Sequence, residues 1–97
     1  MIICGIDIKP VMQKLQLLHH YGEWGTWFSG FDNSITDAIP ECTELRARAL
    51  MKVLGKIGFV DGCHCGCRGD YEITQAGGLW LHDQHMEELR SRQETKK

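Results

Sequence analysis

Hydrophobic residues recur at helical spacing in several stretches of this sequence, and the first such stretch lies near the start of the chain. Val11, Leu15 and Leu18 fall on one face of a helix, and Met12 and Leu17 widen that face. A proline is tolerated in the first turn of a helix, and a glycine commonly follows the last turn. The pattern therefore predicts a helix over 10–21.

A second helix is predicted to begin after Thr43, which is a residue type that caps helix N-termini. Glu44 follows in the first turn, where a negative charge suits the helix dipole, and Gly58 provides the stop. Apolar residues share one face of this helix, and basic residues occupy the others. The apolar positions are Ala47, Leu50, Met51, Leu54 and Ile57.

The segment between these helices carries weaker signals. Residues 23–31 are aromatic and interrupted by glycines, which favours a short extended piece lying over the core. Asn33 or Ser34 is suited to cap a short helix that runs to Ile39, where Pro40 would end it.

After the second helix, the pattern changes to a hairpin followed by a last helix. Phe59–Val60 and 71–73 are short strand signals on either side of a turn rich in glycine and cysteine. Thr74 is suited to cap a helix from Gln75 to Arg90. The predicted core of the whole chain consists of Leu15, Leu18, Leu50, Leu54, Ile57, Phe59, Ile73 and Leu79.

Length and composition limit the domain organisation. A chain of 97 residues with 42% hydrophobic and 25% charged residues has the size and balance of one globular domain. We expect this domain to span 1–92, with a disordered tail at 93–97. The sequence contains no apolar run long enough to cross a bilayer and no secretory signal, and its five cysteines are an odd number. These features predict a protein of the reducing cytoplasm, with no membrane partner.

Two motifs in the second half of the chain resemble the winged helix–turn–helix superfamily. Met51–Val60 is similar to the end and exit of a recognition helix, and the sequence Tyr-Glu-Ile-Thr-Gln-Ala-Gly that ends at Gly77 is similar to the segment between a wing and the next helix. The resemblance covers 43–81. It implies an α/β, mainly α, winged domain whose helices pack on a small β-hairpin wing, with 43–57 as the recognition helix and 59–73 as the wing. Winged domains bind DNA, RNA or proteins, so the resemblance is more specific for fold than for function.

The charge pattern favours DNA, although the chain as a whole has a formal charge of −2. Basic residues concentrate between Thr43 and Arg68. Arginines near the start of a recognition helix suit guanine, which favours Arg46 and Arg48, whereas Lys52 and Arg68 suit phosphates. The alternative is that these charges only solvate a helix surface. The candidate DNA-binding residues are Thr43, Arg46, Arg48, Lys52, Lys56 and Arg68.

The cysteines of the predicted wing are a second group of candidate functional residues. Cys63, Cys65 and Cys67 alternate along the chain, so an extended wing would direct their thiols to one side. With Cys42 as a fourth ligand they would suit zinc or an iron–sulfur cluster, but the spacing is not that of a zinc knuckle. A redox-sensitive thiol cluster and ordinary small turn residues are the alternatives. We expect no cofactor.

These features together predict a small DNA-binding protein that regulates transcription as a homodimer. Leu81, Met86 and Leu89 on the last helix are the expected dimer surface, because exposed apolar stripes usually have a partner. The sequence contains no phosphate-binding loop and no nucleophile elbow, so we do not expect an enzyme. The first alternative is an adaptor or inhibitor, of a kind suited to a phage or mobile element, that binds a protein through the aromatic residues of 24–31. The second is a metal or redox sensor that uses the wing cysteines.

Overall fold

A computed structural model describes residues 1–28, 30–39, 43–62 and 70–95 and shows a small, mainly helical α/β domain. Within these residues, the structure has three α-helices, one short 3-10 helix and two antiparallel hairpins of two-residue strands. In chain order the elements are β1 (Ile2–Ile3), β2 (Ile6–Asp7), α1 (Lys9–His20), the 3-10 helix (Ile35–Ala38), α2 (Glu44–Lys56), β3 (Val60–Asp61), β4 (Glu72–Ile73) and α3 (Gln75–Thr95).

The 3-10 helix, α2 and α3 begin where their capping residues predict, whereas α1 has no side-chain cap at Ile8. The hydroxyl of Thr43 accepts a hydrogen bond from the backbone N–H of Arg46 at 3.3 Å, which satisfies an amide that the first turn of α2 leaves free. Ser34 caps the 3-10 helix in the same way, through the backbone N–H of Thr36 at 3.2 Å. Thr74 caps α3 by accepting from the N–H of Gly77 at 3.1 Å.

The core lies between α1, α2 and the hairpin formed by β3 and β4. The prediction is confirmed for Leu15, Leu50 and Leu54, which are almost fully buried, and for Leu18 and Ile73. Phe59 is partly buried and packs against this core. Other buried apolar residues are Ile6, Ile8, Val11, Met12, Trp27, Ile35, Ile39, Ala47, Met51, Val60 and Tyr71.

Two residues of the predicted core are exposed instead. Ile57 follows the last turn of α2, where Gly58 takes a φ of +86° and turns the chain away, so 47% of the Ile57 surface remains accessible. Leu79 is 59% exposed because it lies about 160° around α3 from Leu81, which packs against the core. The prediction was therefore wrong for both residues.

The hairpin at the start of the chain was not predicted. Its turn consists of Cys4 and Gly5, which both have positive φ values of +55° and +73°. Positive φ at both central residues is what a two-residue hairpin turn with the twist of type I′ requires, and glycine adopts it easily. The strand that leaves the turn carries Ile6, which is buried in the core.

The predicted extended piece before the 3-10 helix pairs with the end of the second hairpin. Gly25 and Tyr71 exchange two backbone hydrogen bonds, with N···O distances of 2.6 and 2.8 Å. Tyr71 is 1% exposed and immediately precedes β4, which pairs with β3. The segment at Gly25 therefore forms a third, very short member alongside the hairpin, and β4 lies in the middle.

Helix α3 packs antiparallel to α1. A Cβ on Gly77 would approach Met12 Cε to 2.8 Å, and Lys9 at the start of α1 forms an ion pair with Glu88 far along α3. The helix continues to Thr95, beyond its predicted end at Arg90 and into the segment for which the sequence predicts disorder. None of the helices in the described part of the chain is long and apolar enough to cross a membrane.

Candidate nucleic-acid interface

Helix α2 has one face in the core and the opposite face in solvent. Its buried residues are Ala47, Leu50, Met51 and Leu54. On the other side, Leu45, Ala49, Lys52 and Lys56 follow one another at spacings of four, three and four residues, and all four are exposed. Residues at these spacings line one side of a helix. We call these four residues the outer face of α2.

The charge of α2 is opposite in sign to that of the whole chain. Four of the 11 Lys and Arg residues lie in this helix, but only one of the 13 Asp and Glu residues does, and the formal charge of the chain is −2. The single acidic residue, Glu44, is in the first turn, where it suits the positive end of the helix dipole. With a formal charge of +3, α2 is more positive than α1, which has two lysines and no acidic residue, and than α3, which is acidic on balance.

Arg48 lies at the border of the outer face and is held by an aromatic residue. Its guanidinium carbon is 5.4 Å from the centre of the Trp27 ring, a distance at which a cation and the ring face attract each other. Trp27 is itself buried and stacks on Phe28, with 4.0 Å between the ring centres. By helical geometry Arg48 lies about 40° around α2 from Lys52, so its charge adjoins that of the outer face.

Arg46 lies on the other flank of the helix. Its Nη2 donates a hydrogen bond to the carbonyl oxygen of Cys4 at 3.4 Å, so it links α2 to the turn of the first hairpin. The two arginines that the sequence nominates for base contacts lie about 160° apart around the helix. One approach to a groove of DNA cannot place both of them on base edges.

The remaining predicted site residues fall into two groups. Thr43 is exposed, but its hydroxyl caps α2. Arg68, Cys42 and the cysteines of 63–67 lie outside the described residues, so the wing contacts and the cysteine cluster stay predictions. Within 1–28, 30–39, 43–62 and 70–95, no group of three or more His, Cys, Asp or Glu is arranged to hold a metal ion.

Two further surfaces were not identified as sites from the sequence. Trp24, which is 58% exposed, lines a small pocket together with the carboxylates Asp61, Asp70 and Glu72. A larger groove of about 440 Å³ follows the contact between α1 and α3. Both surfaces are formed by residues that lie far apart in the sequence, so the spacing of residues along the chain could not indicate them. The groove is lined by Lys9, Gln13, Gln16, Gly78, Leu81, His82, His85 and Glu88.

Comparison of the chain with protein-family models, with curated proteins and with solved structures finds no match. The outer face of α2 combines exposed positive charge with a helix that four buried core residues and a side-chain cap hold in place. A rigid, basic, convex helix is suited to bind the phosphates and base edges of nucleic acid.

Proposed function

We propose that this protein binds double-stranded DNA, with the outer face of α2 in the major groove, and regulates transcription. The observation that carries the proposal is the placement of Lys52 and Lys56 on the exposed side of a capped helix whose other side is buried. An α-helix fits the major groove, and lysines along it can neutralise phosphates on either side.

The order of elements supports this proposal. A helix, a short extended piece, a short helix, a capped helix, a hairpin and a further helix follow one another along the chain. The resemblance to winged helix–turn–helix proteins covers 43–81, and within that range it implies α2 as the recognition helix and the β3–β4 hairpin as the base of the wing. The pairing of Gly25 with Tyr71 ties the segment after α1 to that hairpin, as one compact winged domain requires.

The residues of the outer face suit different parts of a duplex. Lys52 and Lys56 lie in the second half of α2, where long flexible ammonium groups can reach phosphates. Leu45 and Ala49 lie nearer its start and are suited to contact thymine methyl groups. The guanidinium of Arg48, oriented by Trp27, is suited to guanine. Arg46 is a positioning residue because it holds the first hairpin.

The experiment is a fluorescence-anisotropy titration of a random-sequence duplex at several salt concentrations. We expect binding at low salt, with the logarithm of the binding constant falling linearly with the logarithm of the salt concentration. The magnitude of this slope should be smaller by about 1 in Lys52→Ala, and likewise in Lys56→Ala, because each lysine neutralises one phosphate. Lys14→Ala is the matched control, since Lys14 lies on α1 and forms an ion pair with Asp37 at 3.5 Å. Absence of binding at low salt, or an equal effect of the control, contradicts the proposal.

A second candidate function is supported by the aromatic residues of the loop after α1. Trp24, Phe28 and Phe31 are exposed by 58, 39 and 59%, which is unusual for aromatic side chains so close together in the chain. Such residues suit a protein-binding adaptor or inhibitor. If this function is correct, a pull-down recovers one stoichiometric protein that nuclease does not release, and Trp24→Ser with Phe31→Ser abolishes capture while Lys52→Ala does not.

A further inference from the structure

The segment at Gly25 and the β3–β4 hairpin lie side by side, and their register brings three side chains into one row. Asp61 of β3 is directly opposite Glu72 of β4. On the other side of β4, Gly25 exchanges two backbone hydrogen bonds with Tyr71, so the antiparallel register places Trp24 opposite Glu72. Asp61, Glu72 and Trp24 therefore form a row across the three strands.

This row lies on the outer face of the strands. Side chains alternate between the two faces of a strand, and both chain neighbours of Glu72 are buried in the core, so Glu72 itself is on the outer face. Trp24 is 58% exposed there. The row lines a pocket of about 270 Å³ together with Asp70, which is two residues before Glu72 and on the same face. We call Trp24, Asp61, Asp70 and Glu72 the Trp24 pocket.

The Trp24 pocket sets like charges directly opposite each other. Asp61 and Glu72 are a cross-strand pair, and two like charges in such a pair destabilise a hairpin. Within the described residues, neither carboxylate forms an ion pair, and none of the residues that line the pocket is basic. Such local conflicts are expected where a surface serves binding. A cation in the pocket offsets this repulsion, and the face of the Trp24 ring attracts it as well.

The size and the chemistry of the pocket indicate which cation fits. Sites for whole small molecules typically measure about 300–1,000 Å³, so a pocket of about 270 Å³ suits the end of one side chain. A planar guanidinium can stack on an aromatic ring and donate to carboxylates at its edge, whereas an ammonium is a compact point charge. A pocket that combines one indole with carboxylates therefore suits arginine better than lysine.

We propose that the Trp24 pocket binds an arginine side chain from a basic segment of a partner protein. The guanidinium stacks on the Trp24 ring and pairs with the carboxylates of Asp61 and Glu72, which removes the repulsion across the hairpin. A basic segment is complementary in charge to this face, whereas the phosphates of DNA are repelled by it. The proposal rests on the second candidate function, for which it names the partner chemistry, and it is independent of DNA binding by α2.

The first test is the binding of a fluorescein-labelled peptide in which arginine alternates with glycine, measured by fluorescence anisotropy. We expect saturable binding, and much weaker binding of the same peptide with neutral citrulline in place of each arginine. Glu72→Gln should weaken binding by about tenfold, which corresponds to one hydrogen bond between charged groups. Trp24→Leu should weaken it by about fivefold, because the π face is lost.

The matched control is the double variant Asp83→Asn/Glu87→Gln, which removes two exposed carboxylates from α3. It lowers the negative charge of the chain more than Glu72→Gln does but leaves the pocket intact, so we expect a smaller loss of affinity. Circular dichroism checks that each variant keeps its helix content. Absence of binding, equal binding of the citrulline peptide, or an equal loss in the control overturns the proposal.

The second test compares affinity with stability in the same variants. Asp61→Asn and Glu72→Gln each remove one member of the like-charge pair, so we expect a higher melting temperature together with a lower affinity for the arginine peptide. A purely structural role of these carboxylates predicts that both quantities fall. A fall in both overturns the proposal.

Two further variants identify other occupants of the pocket. Arg68 lies outside the described residues, and we expect Arg68→Gln to give no gain in affinity for the peptide. Tighter binding by Arg68→Gln assigns the pocket to the chain's own arginine and overturns the proposal. A protein captured through Trp24 that Glu72→Gln still binds equally well also overturns it, but leaves the second candidate function intact.

Discussion

The guanidinium of Arg48 and the ring of Trp27 lie 5.4 Å apart, so an exposed residue of α2 is oriented by an aromatic residue of the preceding loop. Trp27 is 9% exposed and stacks on Phe28, which leaves its ring little freedom to move. A fixed ring face limits the orientations of the guanidinium above it. An arginine that is ordered before it meets a base loses less conformational entropy on binding.

The two arginines at the start of α2 are therefore expected to differ in their effect on DNA binding. Arg48→Ala should weaken binding to a duplex selected by the wild-type protein by about 1–3 kcal/mol, and Arg46→Ala should have a much smaller effect. Anisotropy titrations at one salt concentration measure both. Arg48→Lys is the control, because it keeps the charge but loses the planar fork, and it should recover only part of the affinity. Equal losses in Arg46→Ala and Arg48→Ala would contradict this assignment.

Thr74 joins two elements through one hydroxyl. It donates a hydrogen bond to the carbonyl oxygen of Gly58 and accepts one from the N–H of Gly77. Thr74→Ala removes the cap of α3 and also the hydroxyl that donates to the carbonyl oxygen of Gly58, just after α2. We therefore expect a loss of about 1–2 kcal/mol in the free energy of unfolding. Thr74→Ser keeps the hydroxyl and should lose much less. Urea denaturation measures both, and a neutral Thr74→Ala would show that neither bond matters for stability.

Adjacent glycines at the start of α3 should respond in opposite directions to alanine. A Cβ on Gly77 would collide with the carbonyl oxygen of Phe59 and approach Met12 Cε to 2.8 Å, whereas a Cβ on Gly78 meets nothing closer than 3.5 Å. We expect Gly77→Ala to destabilise the domain by about 1–3 kcal/mol through overpacking. Gly78→Ala should be neutral or stabilise by up to about 1 kcal/mol through helix propensity. Thermal unfolding of the two variants distinguishes them, and similar melting temperatures would refute the close approach of α3 to the core.

Features set by neighbouring residues could be predicted from the sequence. Thr43, Ser34 and Thr74 are capping residues because of their own side chains, and each one begins the helix expected of it. The apolar face of α2 also follows from spacing alone, and Leu50 and Leu54 are buried as predicted.

Features set by distant residues could not be predicted in this way. The pairing of Gly25 with Tyr71 joins positions that only the folded chain brings together. Leu79 and Leu81 are both leucines and lie two residues apart in the sequence. Only the direction from which α1 contacts α3 decides which of the two is buried. The contact between the guanidinium of Arg48 and the Trp27 ring also joins residues far apart in the sequence. The same is true of the hydrogen bond from Arg46 to the carbonyl oxygen of Cys4. The first hairpin did have a local signal, since Cys4-Gly5 separates the apolar pair Ile2-Ile3 from Ile6, and a residue followed by glycine suits a tight turn.

Cysteines stand at positions 63, 65 and 67 of the predicted wing, outside the described residues. We expect them to act as small turn residues. Their one-residue spacing is not the Cys-x-x-Cys spacing whose turn wraps a zinc ion, and a disulfide between such near neighbours would close a small, strained ring. Freshly purified protein should therefore contain no zinc or iron by elemental analysis. Replacing all three by serine should change the free energy of unfolding by less than about 0.5 kcal/mol and leave DNA binding unchanged.

Two results would contradict this expectation, and they point to different chemistry. One equivalent of metal per chain, with loss of stability on chelation, would indicate a structural site, because the binding energy of such a metal contributes to folding. Metal-free protein whose DNA affinity falls on mild oxidation, and returns on reduction, would indicate a redox switch formed by the thiols. Cys4 is also an exposed free thiol, so the oxidation experiment needs Cys4→Ser as its background. In that background, a change in DNA affinity on oxidation cannot come from Cys4. If the triple serine variant then abolishes the change, the thiols at 63, 65 and 67 are responsible for it.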